Sequence, residues 1–395
     1  MNKRMDKNKL NIGTYYLKPY ACTENHVKGL KQCGIDFVVC MQNETFALDL
    51  LEKEGIGAIV SGVVPPWWGN RGENAGTMKE TNKLQLYSNA VKTFKDHSAI
   101  WGIDCGDEPS SLDFRHCGEI VNLVNKKFKN QFAYFNLYAN YGLNTQNSIT
   151  DIAKQLGTCT YDDYIRQYCD NVHTDYICCD FYIYSADVDS FFKNLSTVSN
   201  ACIAYNRSMW IVLQVNSSAS EKYLSLNQLR FQAYSAMAFG TQCIIWACYC
   251  PGWWYNNVLN EQGEKTEQYE KLKEINYEIK KLSEEYMNFK TVATHTVEKT
   301  LIQSITGAFS YLESSNKLLV GEMISKKHDK THALFIFAAD DPYDNCHQKS
   351  VCTFSLDAKS IKLITKNGKQ TIYPQNNFYR IILSSNEAGL VIINL

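Results

Sequence analysis

The sequence lacks the features that mark membrane-spanning and nucleic-acid-binding proteins. No apolar run in its 395 residues approaches the ~18 residues that indicate a transmembrane helix. Its 40 basic residues are matched by 41 acidic ones, so there is no excess of positive charge to attract DNA, RNA or an anionic lipid surface. We therefore expect neither a membrane nor a nucleic acid as a partner.

Motifs for metals, phosphates and nucleophilic triads are also missing. No CxxC pair faces a second such pair, as a structural zinc site requires. No glycine-rich phosphate-binding loop follows the first apolar run or the last two, which argues against phosphorylated substrates. The eight histidines are scattered, and none belongs to a Ser or Cys nucleophile motif. The sequence predicts no metal and no other cofactor.

The cysteines and the N-terminus bear on the cellular compartment. The 15 cysteines are an odd number, and several lie inside apolar runs, among them Cys40 and Cys178. Such a pattern is typical of buried, reduced thiols that behave as small hydrophobes. No secretory signal is visible in MNKRMDKNKLNIG. We expect a cytoplasmic protein, although a secreted protein without its leader would look the same; the oligomeric state is left open.

Eight short apolar runs alternate with segments of helical periodicity. The runs are NIGTYYL (11–17), DFVVCM (36–41), GIGAIVSG (55–62), AIWGIDCG (99–106), QFAYFNLY (131–138), DYICCDFYIY (175–184), MWIVLQV (209–215) and TQCIIWACY (241–249). The helical segments include 25–33, 80–95, 114–128, 161–170, 187–204 and 227–239. Runs that are apolar on both faces fit parallel strands covered on both sides. Eight of them predict an α/β fold of the closed (β/α)8, or TIM-barrel, type, with an open doubly wound sheet as the alternative.

The last quarter of the chain has a different pattern. A long polar helix is predicted over 265–289, after which short alternating runs follow, such as HALFIFAA and AGLVIINL. The stretch KNGK (366–369) is typical of a hairpin turn. We predict a barrel domain over 1–290 and a small antiparallel β-sandwich, an accessory domain, over 291–395.

Acidic residues follow only some of the predicted barrel strands. In such barrels the reactive groups lie at the carboxyl ends of the strands. Strand four ends in CGDEP with Asp107 and Glu108, with Asp104 deeper in the strand, and strand six carries Asp180. Strands five, seven and eight end without an acid. Asp107, Glu108 and Asp180 are the catalytic candidates, although Asp-Glu-Pro is also a common helix start.

Aromatic and amide side chains accompany these acids. The predicted substrate-binding residues are Tyr182, Tyr184, Gln214, Trp246, Trp67, Trp68, Tyr249, Trp253 and Trp254. Exposed tryptophans at a site are costly unless they bind something flat and partly apolar, such as a sugar ring. Core packing is the alternative for Trp246, and packing on a loop is the alternative for Trp67 and Trp68. Carboxylates beside tryptophans favour glycoside cleavage of a carbohydrate substrate.

Several stretches together resemble known glycoside hydrolases of the barrel type from gut and soil bacteria. They are GIDCGDEP, DFYIY, the run LRFQAYSAMAFGTQCIIWACY and the terminal β-sandwich. Barrel glycosidases related to β-galactosidases carry Asn-Glu after strand four and a nucleophilic Glu after strand seven. In this sequence Asp107 replaces that Asn, and strand seven offers only Gln214.

The adjacent acids resemble instead the Asp-Glu pair of β-N-acetylhexosaminidases. This resemblance implies that Glu108 is the general acid/base and that Asp107 orients the 2-acetamido group of the substrate, which attacks the anomeric carbon. It also implies that Tyr182 or Tyr184 hydrogen-bonds the acetamido oxygen and that Trp246 forms a wall. No enzyme nucleophile is then needed.

Two alternatives stay open at this point. Asp180 could serve as a second carboxylate, either nucleophile or base, in a two-carboxylate glycosidase. The missing acid after strand seven also fits a barrel that binds carbohydrate without cleaving it.

Overall fold

The computed structural model of the protein describes residues 5–42, 45–94, 97–128, 130–143, 155–301, 304–328, 330–339, 341–343 and 348–394. The chain forms two compact units. The barrel unit comprises Met1–Lys7, Asn11–Tyr223 and Cys243–Lys273, and the sandwich unit comprises Asn8–Leu10, Leu224–Gln242 and Glu274–Leu395. The boundary expected at residues 290 and 291 remains a prediction.

Eight parallel strands form the barrel predicted from the sequence. They are β1 (Asn11–Tyr15), β2 (Phe37–Gln42), β3 (Gly57–Ser61), β4 (Ile100–Asp107), β5 (Phe132–Asn136), β6 (Tyr176–Asp180), β7 (Ser208–Gln214) and β8 (Thr241–Ala247). Their order is β5-β4-β3-β2-β1-β8-β7-β6. A parallel bridge between Leu137 and Cys179 joins the two ends of this order, with the amide of Leu137 donating to the carbonyl of Cys178 over 2.9 Å. The (β/α)8 barrel is therefore confirmed.

Helices follow the strands along the chain. They are α1 (Glu24–Gln32), α2 (Thr45–Glu54), α3 (Met78–Thr81), α4 (Leu84–Phe94), α5 (Phe114–Lys127), α6 (Tyr161–Asn171), α7 (Val188–Ala204), α8 (Leu226–Ala238) and α9 (Gln268–Tyr286). Several begin at a side chain that accepts a hydrogen bond from a free amide of the first turn, as with Thr160 before α6 and Asp187 before α7. Ser225 and Gln228 form a reciprocal capping box at α8.

A layer of aromatic rings fills the barrel interior near the amino ends of the strands. This ring layer consists of Phe37, Trp101, Phe132, Tyr176 and Trp210. The rings of Tyr176 and Trp210 stack with centroids 4.0 Å apart, and Phe132 meets Trp210 edge-on at 5.6 Å. Such offset and edge-on contacts are the favoured geometries for aromatic pairs. The barrel is thus closed at this depth.

Two glycines on the strands make room for the ring layer. A side chain at Gly13 would collide with the ring of Phe37, and one at Gly57 would collide with the ring of Trp101. Small residues opposite large ones are how a barrel interior fills without voids. Substitution of either glycine would therefore displace a ring.

The sandwich unit holds two antiparallel sheets. Its strands are β9 (Phe289–Val297), β10 (Thr300–Leu301), β11 (Tyr311–Ser314), β12 (Leu318–Ser325), β13 (Thr331–Ala338), β14 (Lys349–Ser355), β15 (Ile361–Thr365), β16 (Gly368–Ile372), β17 (Tyr379–Ser384) and β18 (Ala388–Asn394). The sheets run β10-β11-β14-β17 and β16-β15-β18-β13-β12-β9. The predicted antiparallel sandwich is confirmed, and β15 and β16 pair across the KNGK hairpin.

One face of the six-stranded sheet carries the sandwich core and the other packs on helices. Leu318, Val320 and Leu334 belong to the core between the sheets. On the opposite face, Phe337 of β13 meets Phe231 of α8 with ring centroids 5.6 Å apart. The helix α8 therefore belongs to the sandwich unit, although it precedes β8 in the sequence.

Glu322 on β12 is a buried carboxylate in the sandwich unit. Its side chain is 0% exposed, and His295 Nε2 lies 2.7 Å from it. Ser304 Oγ donates to it over 2.6 Å, and the amides of Ile305 and Thr306 donate over 3.0 Å. These donors lower the pKa of Glu322 to about 2, against the effect of burial.

Within the described residues, no helix is both long and apolar enough to cross a bilayer. Every cysteine in the described ranges is a free thiol, and most of these thiols are buried. The location in the cytoplasm remains a prediction.

Candidate active site

Bulges in the strands determine which acids face the barrel interior. Asp104 and Asp107 both line a cavity at the carboxyl ends of the strands, although regular alternation would place residues three apart on opposite faces. The register of β4 against β5 shifts between Asp104 and Gly106, and this extra residue brings both acids inward. A Cβ at Gly106 would lie 2.7 Å from Met78 Cε, so Met78 leaves no room for a side chain at this position.

The cavity has a volume of about 790 Å³ and belongs to the barrel unit. Its lining residues are Tyr15, Tyr16, Cys40, Trp68, Arg71, Asp104, Gly106, Asp107, Glu108, Tyr134, Asn136, Tyr138, Tyr141, Gln155, Asp180, Tyr182, Trp253 and Trp254. The three predicted catalytic residues are all among them.

Glu108 is held between β5 and the loop that follows β3. Its backbone adopts the left-handed conformation, with φ of 50°, and its amide donates to the carbonyl of Asn136 over 2.8 Å. The indole Nε1 of Trp68 donates to Glu108 Oε2 over 2.6 Å. A side chain at Gly69 would collide with the carbonyl oxygen of Glu108, so glycine is needed for this close approach.

Asn136, the last residue of β5, bridges two of the acids. Its Nδ2 donates to Asp107 Oδ1 over 3.1 Å and to Asp180 Oδ1 over 3.3 Å. Its Oδ1 lies 3.7 Å from the thiol of Cys178. One amide therefore donates to both carboxylates and offsets part of their mutual repulsion.

Asp180, the last residue of β6, receives two more hydrogen bonds. Tyr141 donates to its Oδ2 over 3.1 Å, and Tyr182 also donates to it. These bonds favour the charged form, whereas burial favours the neutral form. The balance raises the pKa of Asp180 to about 6.

The pKa values of Asp107 and Glu108 are raised as well. Burial raises the pKa of Asp107 to about 7, and the charge of Asp180 adds to this rise. Burial also raises the pKa of Glu108 well above its usual range, and the charges of Asp180 and Asp107 raise it further. The hydrogen bond from Trp68 and the charge of Arg71 act in the opposite direction. Burial and the neighbouring charges thus favour the protonated form of Glu108, while the hydrogen-bond donors around Asp180 favour its ionised form.

Aromatic rings line part of the same cavity. Tyr182 meets Trp254 edge-on with centroids 5.0 Å apart and meets Trp253 at 6.1 Å. Trp253 also meets Tyr16 at 5.7 Å. The rings hold one another in place and present apolar faces and hydroxyl groups to the cavity.

Four of the nine predicted substrate-binding residues line the cavity, and five do not. Those that do are Tyr182, Trp68, Trp253 and Trp254. Trp67 is buried beside Gly106, and Tyr184 is partly buried on a 3-10 turn after β6. The side chain of Gln214 is fully buried and accepts a hydrogen bond from the amide of Tyr184 over 3.2 Å.

Trp246 and Tyr249 are also away from the cavity. Both are buried. Alternation along β8 places Trp246 on the opposite face from Ile245 and Ala247, which belong to the interior cluster. The hydroxyl of Tyr249 lies 3.6 Å from the position of a Cβ at Gly29 of α1, so this ring points away from the cavity.

Several residues that line the cavity were not predicted from the sequence. Asn136 ends β5 and Tyr141 follows that strand, which carries no acid at its end. A search for amides and phenols at the strand ends, alongside acids, would have found both. Arg71 lies in the loop after β3, and no periodic pattern marked it.

The described residues contain one cluster that could hold a metal ion, formed by Asp49, Glu52 and His97. Asp49 and Glu52 are exposed, and none of the three lines the cavity. Exposed acids of this kind are common on protein surfaces, and the cluster is not part of the candidate site.

The sequence matches no family model and no curated protein. Solved structures with a similar fold include glycoside hydrolases. A catalytic mutant of a GH42 β-galactosidase from G. stearothermophilus has a TM-score of 0.60 at 8% identity, with 98% of each chain covered. An α-amylase from Anoxybacillus has 0.55 at 10% identity over 99% of each chain. A GH30 endoxylanase from Clostridium papyrosolvens has 0.50 at 11%, over 98% of this chain and 96% of its own. At these identities the likeness shows the shared fold.

Proposed function

We propose that this protein is a glycoside hydrolase that cleaves O-glycosidic bonds, with Glu108 as general acid/base. The observation that carries the proposal is a single cavity that holds Glu108 and Asp180 together with aromatic rings, where the pKa of Glu108 is raised well above its usual range and that of Asp180 is raised to about 6. Two carboxyl groups whose surroundings separate their pKa values are typical of glycosidase sites. The similar folds of solved glycoside hydrolases also support it.

Glu108 would act twice in the reaction. Its carboxyl proton passes to the glycosidic oxygen as the bond between that oxygen and the anomeric carbon breaks. Glu108, now a carboxylate, then takes a proton from a water molecule whose oxygen bonds to the anomeric carbon. The raised pKa of Glu108 favours the protonated form that the first step requires.

For the second group we propose substrate assistance through Asp107. The carbonyl oxygen of a 2-acetamido group would bond to the anomeric carbon as the glycosidic bond breaks, while Asp107 accepts a hydrogen bond from the acetamido N–H. When the water oxygen then bonds to the anomeric carbon, the bond from the acetamido oxygen to that carbon breaks and the acetamido group is restored. Asp180 would then serve as the fixed negative charge that stabilises the cationic centre. Among the strand ends that the structure describes, β7 offers an amide, Gln214, where a nucleophilic acid would otherwise be expected.

The alternative is that Asp180 itself bonds to the anomeric carbon or activates the water. Three hydrogen-bond donors favour the ionised form of Asp180 inside the cavity and partly offset the effect of burial, and this observation favours Asp180 as a second carboxylate. Both schemes use Asp107 and Asp180, but they predict different effects on activity when either residue is substituted.

The reaction is tested with nitrophenyl glycosides, including those of N-acetylglucosamine and N-acetylgalactosamine. We expect turnover by the wild-type protein and a loss of about 10²–10⁴-fold in kcat in Glu108→Gln. The loss should be smaller with a dinitrophenyl leaving group, which needs little proton donation. Glu119→Gln, at a partly exposed acid of α5, is the matched control.

Sugar binding without turnover by the wild-type protein would contradict the proposal and favour a carbohydrate-binding barrel. Asp107→Asn and Asp180→Ala separate the two schemes. Substrate assistance predicts activity on N-acetyl sugars alone and no rescue by azide. Formation of a glycosyl azide by Asp180→Ala would identify Asp180 as the nucleophile instead.

A further inference from the structure

Asp104 is a fourth carboxylate in the cavity, and the proposed reaction does not use it. It lies on β4, three residues before Asp107, and it lines the cavity together with Cys40. A strand rises roughly 3.3 Å per residue, so Asp104 lies deeper in the barrel than the three acids at the strand ends. It remains partly exposed at this depth.

The protein leaves part of this carboxylate available. Cys40 Sγ lies 3.3 Å from Asp104 Oδ2, and Ser61 Oγ donates to the same oxygen over 3.0 Å. The backbone amide of Gly106 donates a further hydrogen bond. A carboxylate offers about four acceptor positions, so these three bonds orient Asp104 without saturating it.

Bulges on neighbouring strands build this arrangement. The pairing of β2 with β3 shifts in register between Val39 and Met41, at Cys40, and Cys40 has a left-handed backbone with φ of 55°. The pairing of β4 with β5 shifts next to Asp104. Bulges beside active sites commonly redirect a side chain, and here they direct Cys40 and Asp104 to the same place.

The cavity ends at this depth. Below it the ring layer of Phe37, Trp101, Phe132, Tyr176 and Trp210 fills the barrel. Under the proposed function, a sugar with its anomeric carbon at Glu108 and its ring directed into the barrel would point its opposite end towards Asp104. No room remains for a further sugar beyond that end.

We propose that Asp104 accepts hydrogen bonds from free hydroxyl groups of a terminal, non-reducing sugar, so that the site removes single sugars from chain ends. This inference rests on the proposed function for the orientation of the sugar. An acceptor in a closed site selects strongly for ligands that carry the matching hydroxyl, because a ligand without it leaves the buried acceptor unpaired.

Burial raises the pKa of Asp104, and a bound hydroxyl would offset that cost by donating to the carboxylate. A purely structural Asp104 would instead act only to join β2, β3 and β4. The two interpretations differ in how they respond to changes in the ligand.

The test measures binding rather than turnover, by calorimetry on Glu108→Gln. The probes are the methyl β-glycosides of N-acetylglucosamine, N-acetylgalactosamine, glucose and galactose, with the 3-, 4- and 6-deoxy forms of the tightest binder. We expect one deoxy form to bind about tenfold more weakly or worse. In Glu108→Gln/Asp104→Asn the parent sugar should lose a similar factor, and the difference between parent and deoxy forms should largely disappear.

A second measurement leaves Asp104 unchanged. A disaccharide extended at the non-reducing end of the tightest binder should bind Glu108→Gln at least tenfold more weakly than the methyl glycoside. Equal or tighter binding of the disaccharide would overturn the inference, as would binding of none of the four sugars.

Ser61→Ala is the control for a structural role, because Ser61 contacts Asp104 but does not line the cavity. The inference would be overturned if Ser61→Ala and Asp104→Asn weakened the binding of the parent sugar equally and if both variants retained the difference in affinity between the parent sugar and its deoxy form. The outcome is separate from that of the proposed function. Hydroxyl-dependent binding without turnover would retain Asp104 as the acceptor for a terminal sugar and remove the hydrolase, whereas turnover without that dependence would remove this role of Asp104 and retain the hydrolase.

Discussion

The barrel unit and the sandwich unit both bury carboxylates, but the surroundings of these carboxylates differ. In the sandwich unit, Glu322 is a single acid that receives hydrogen bonds from His295, Ser304 and the 305–306 backbone. In the barrel unit, Asp107, Glu108 and Asp180 share one cavity and repel one another. The pKa of Glu322 falls to about 2, whereas those of the barrel acids rise.

The contrast separates an acid that stabilises the fold from acids that destabilise it. Donors around Glu322 outweigh the cost of burial, so its charge stabilises the folded state. At the barrel mouth the donors do not outweigh burial and like charge. Groups kept in unfavourable protonation states are a common sign of a functional site, and four predictions test this difference, from the largest effect to the smallest.

Loss of the charge at Glu322 should have the largest effect on stability. Glu322→Gln removes one partner of a buried, hydrogen-bonded charge, which costs about 3–5 kcal/mol. Hydrogen exchange of β12 and of residues 304–308 should report this loss. Glu313→Gln, at an exposed acid of the same unit, should leave exchange nearly unchanged; equal effects of the two changes would contradict the comparison.

The two units should respond to pH in opposite directions. The folded pKa of Glu322 lies below its unfolded value, so its stabilising effect is present above about pH 4.3 and is lost as the pH falls towards 2. The folded pKa of Asp107 lies above its unfolded value, so its contribution is present below about pH 4 and is lost as the pH rises through about 7.

Asp107→Asn should therefore stabilise the barrel unit at pH 8. The expected gain is at least about 1.4 kcal/mol, the equivalent of one pKa unit, and it should vanish by pH 4. Denaturant unfolding at the two pH values measures it. Asp163→Asn is the control, because the hydrogen bond from Arg166 lowers the pKa of this exposed acid. A gain at pH 4 equal to that at pH 8 would refute the electrostatic cause.

Removal of the amide bridge should shift the pH dependence of activity. In Asn136→Leu, Asp107 and Asp180 lose a shared donor, so their pKa values rise and the acidic limb of kcat/KM moves up by about one unit. Asn89→Leu, at an exposed position of α4, controls for the substitution itself. An unmoved acidic limb would show that Asn136 does not control these acids.

The smallest expected effect concerns Trp68. Trp68→Phe removes a donor from Glu108, so the pKa of Glu108 rises and the alkaline limb of kcat/KM should move to higher pH by less than one unit. Trp254→Phe is the matched control, because Trp254 lines the same cavity and contacts Tyr182. Trp254→Phe should change KM, whereas the alkaline limb of its kcat/KM profile should stay at the wild-type pH.

The barrel could be predicted from the sequence because its strands are apolar on both faces and alternate with helices. Because both faces of each strand are apolar, the sequence does not indicate which side chains point into the barrel. An apolar run carries no alternation, so Gln214, Trp246 and Tyr249 could not be assigned to the cavity or the core by pattern alone. The acids after β4 and β6 were easier to assign, because carboxylates are rarely buried without a reason.

Features that depend on contacts between strands could not be predicted from the sequence. The bulge at β4 brings Asp104 and Asp107 to one cavity, and no local signal marks it. The bridging role of Asn136 depends on β4 and β6 lying on either side of β5. The place of α8 in the sandwich unit likewise follows from contacts with residues about 100 positions later, such as Phe231 with Phe337.

The ring layer has a consequence for optical spectroscopy. Trp101 and Trp210 belong to it, and the other five tryptophans of the chain also fall within the barrel unit, so the sandwich unit contains none. Indole fluorescence therefore reports on one unit alone, while far-ultraviolet circular dichroism reports on both. A single acid or alkaline titration, followed by both signals, would reveal which half of the molecule loses its structure first.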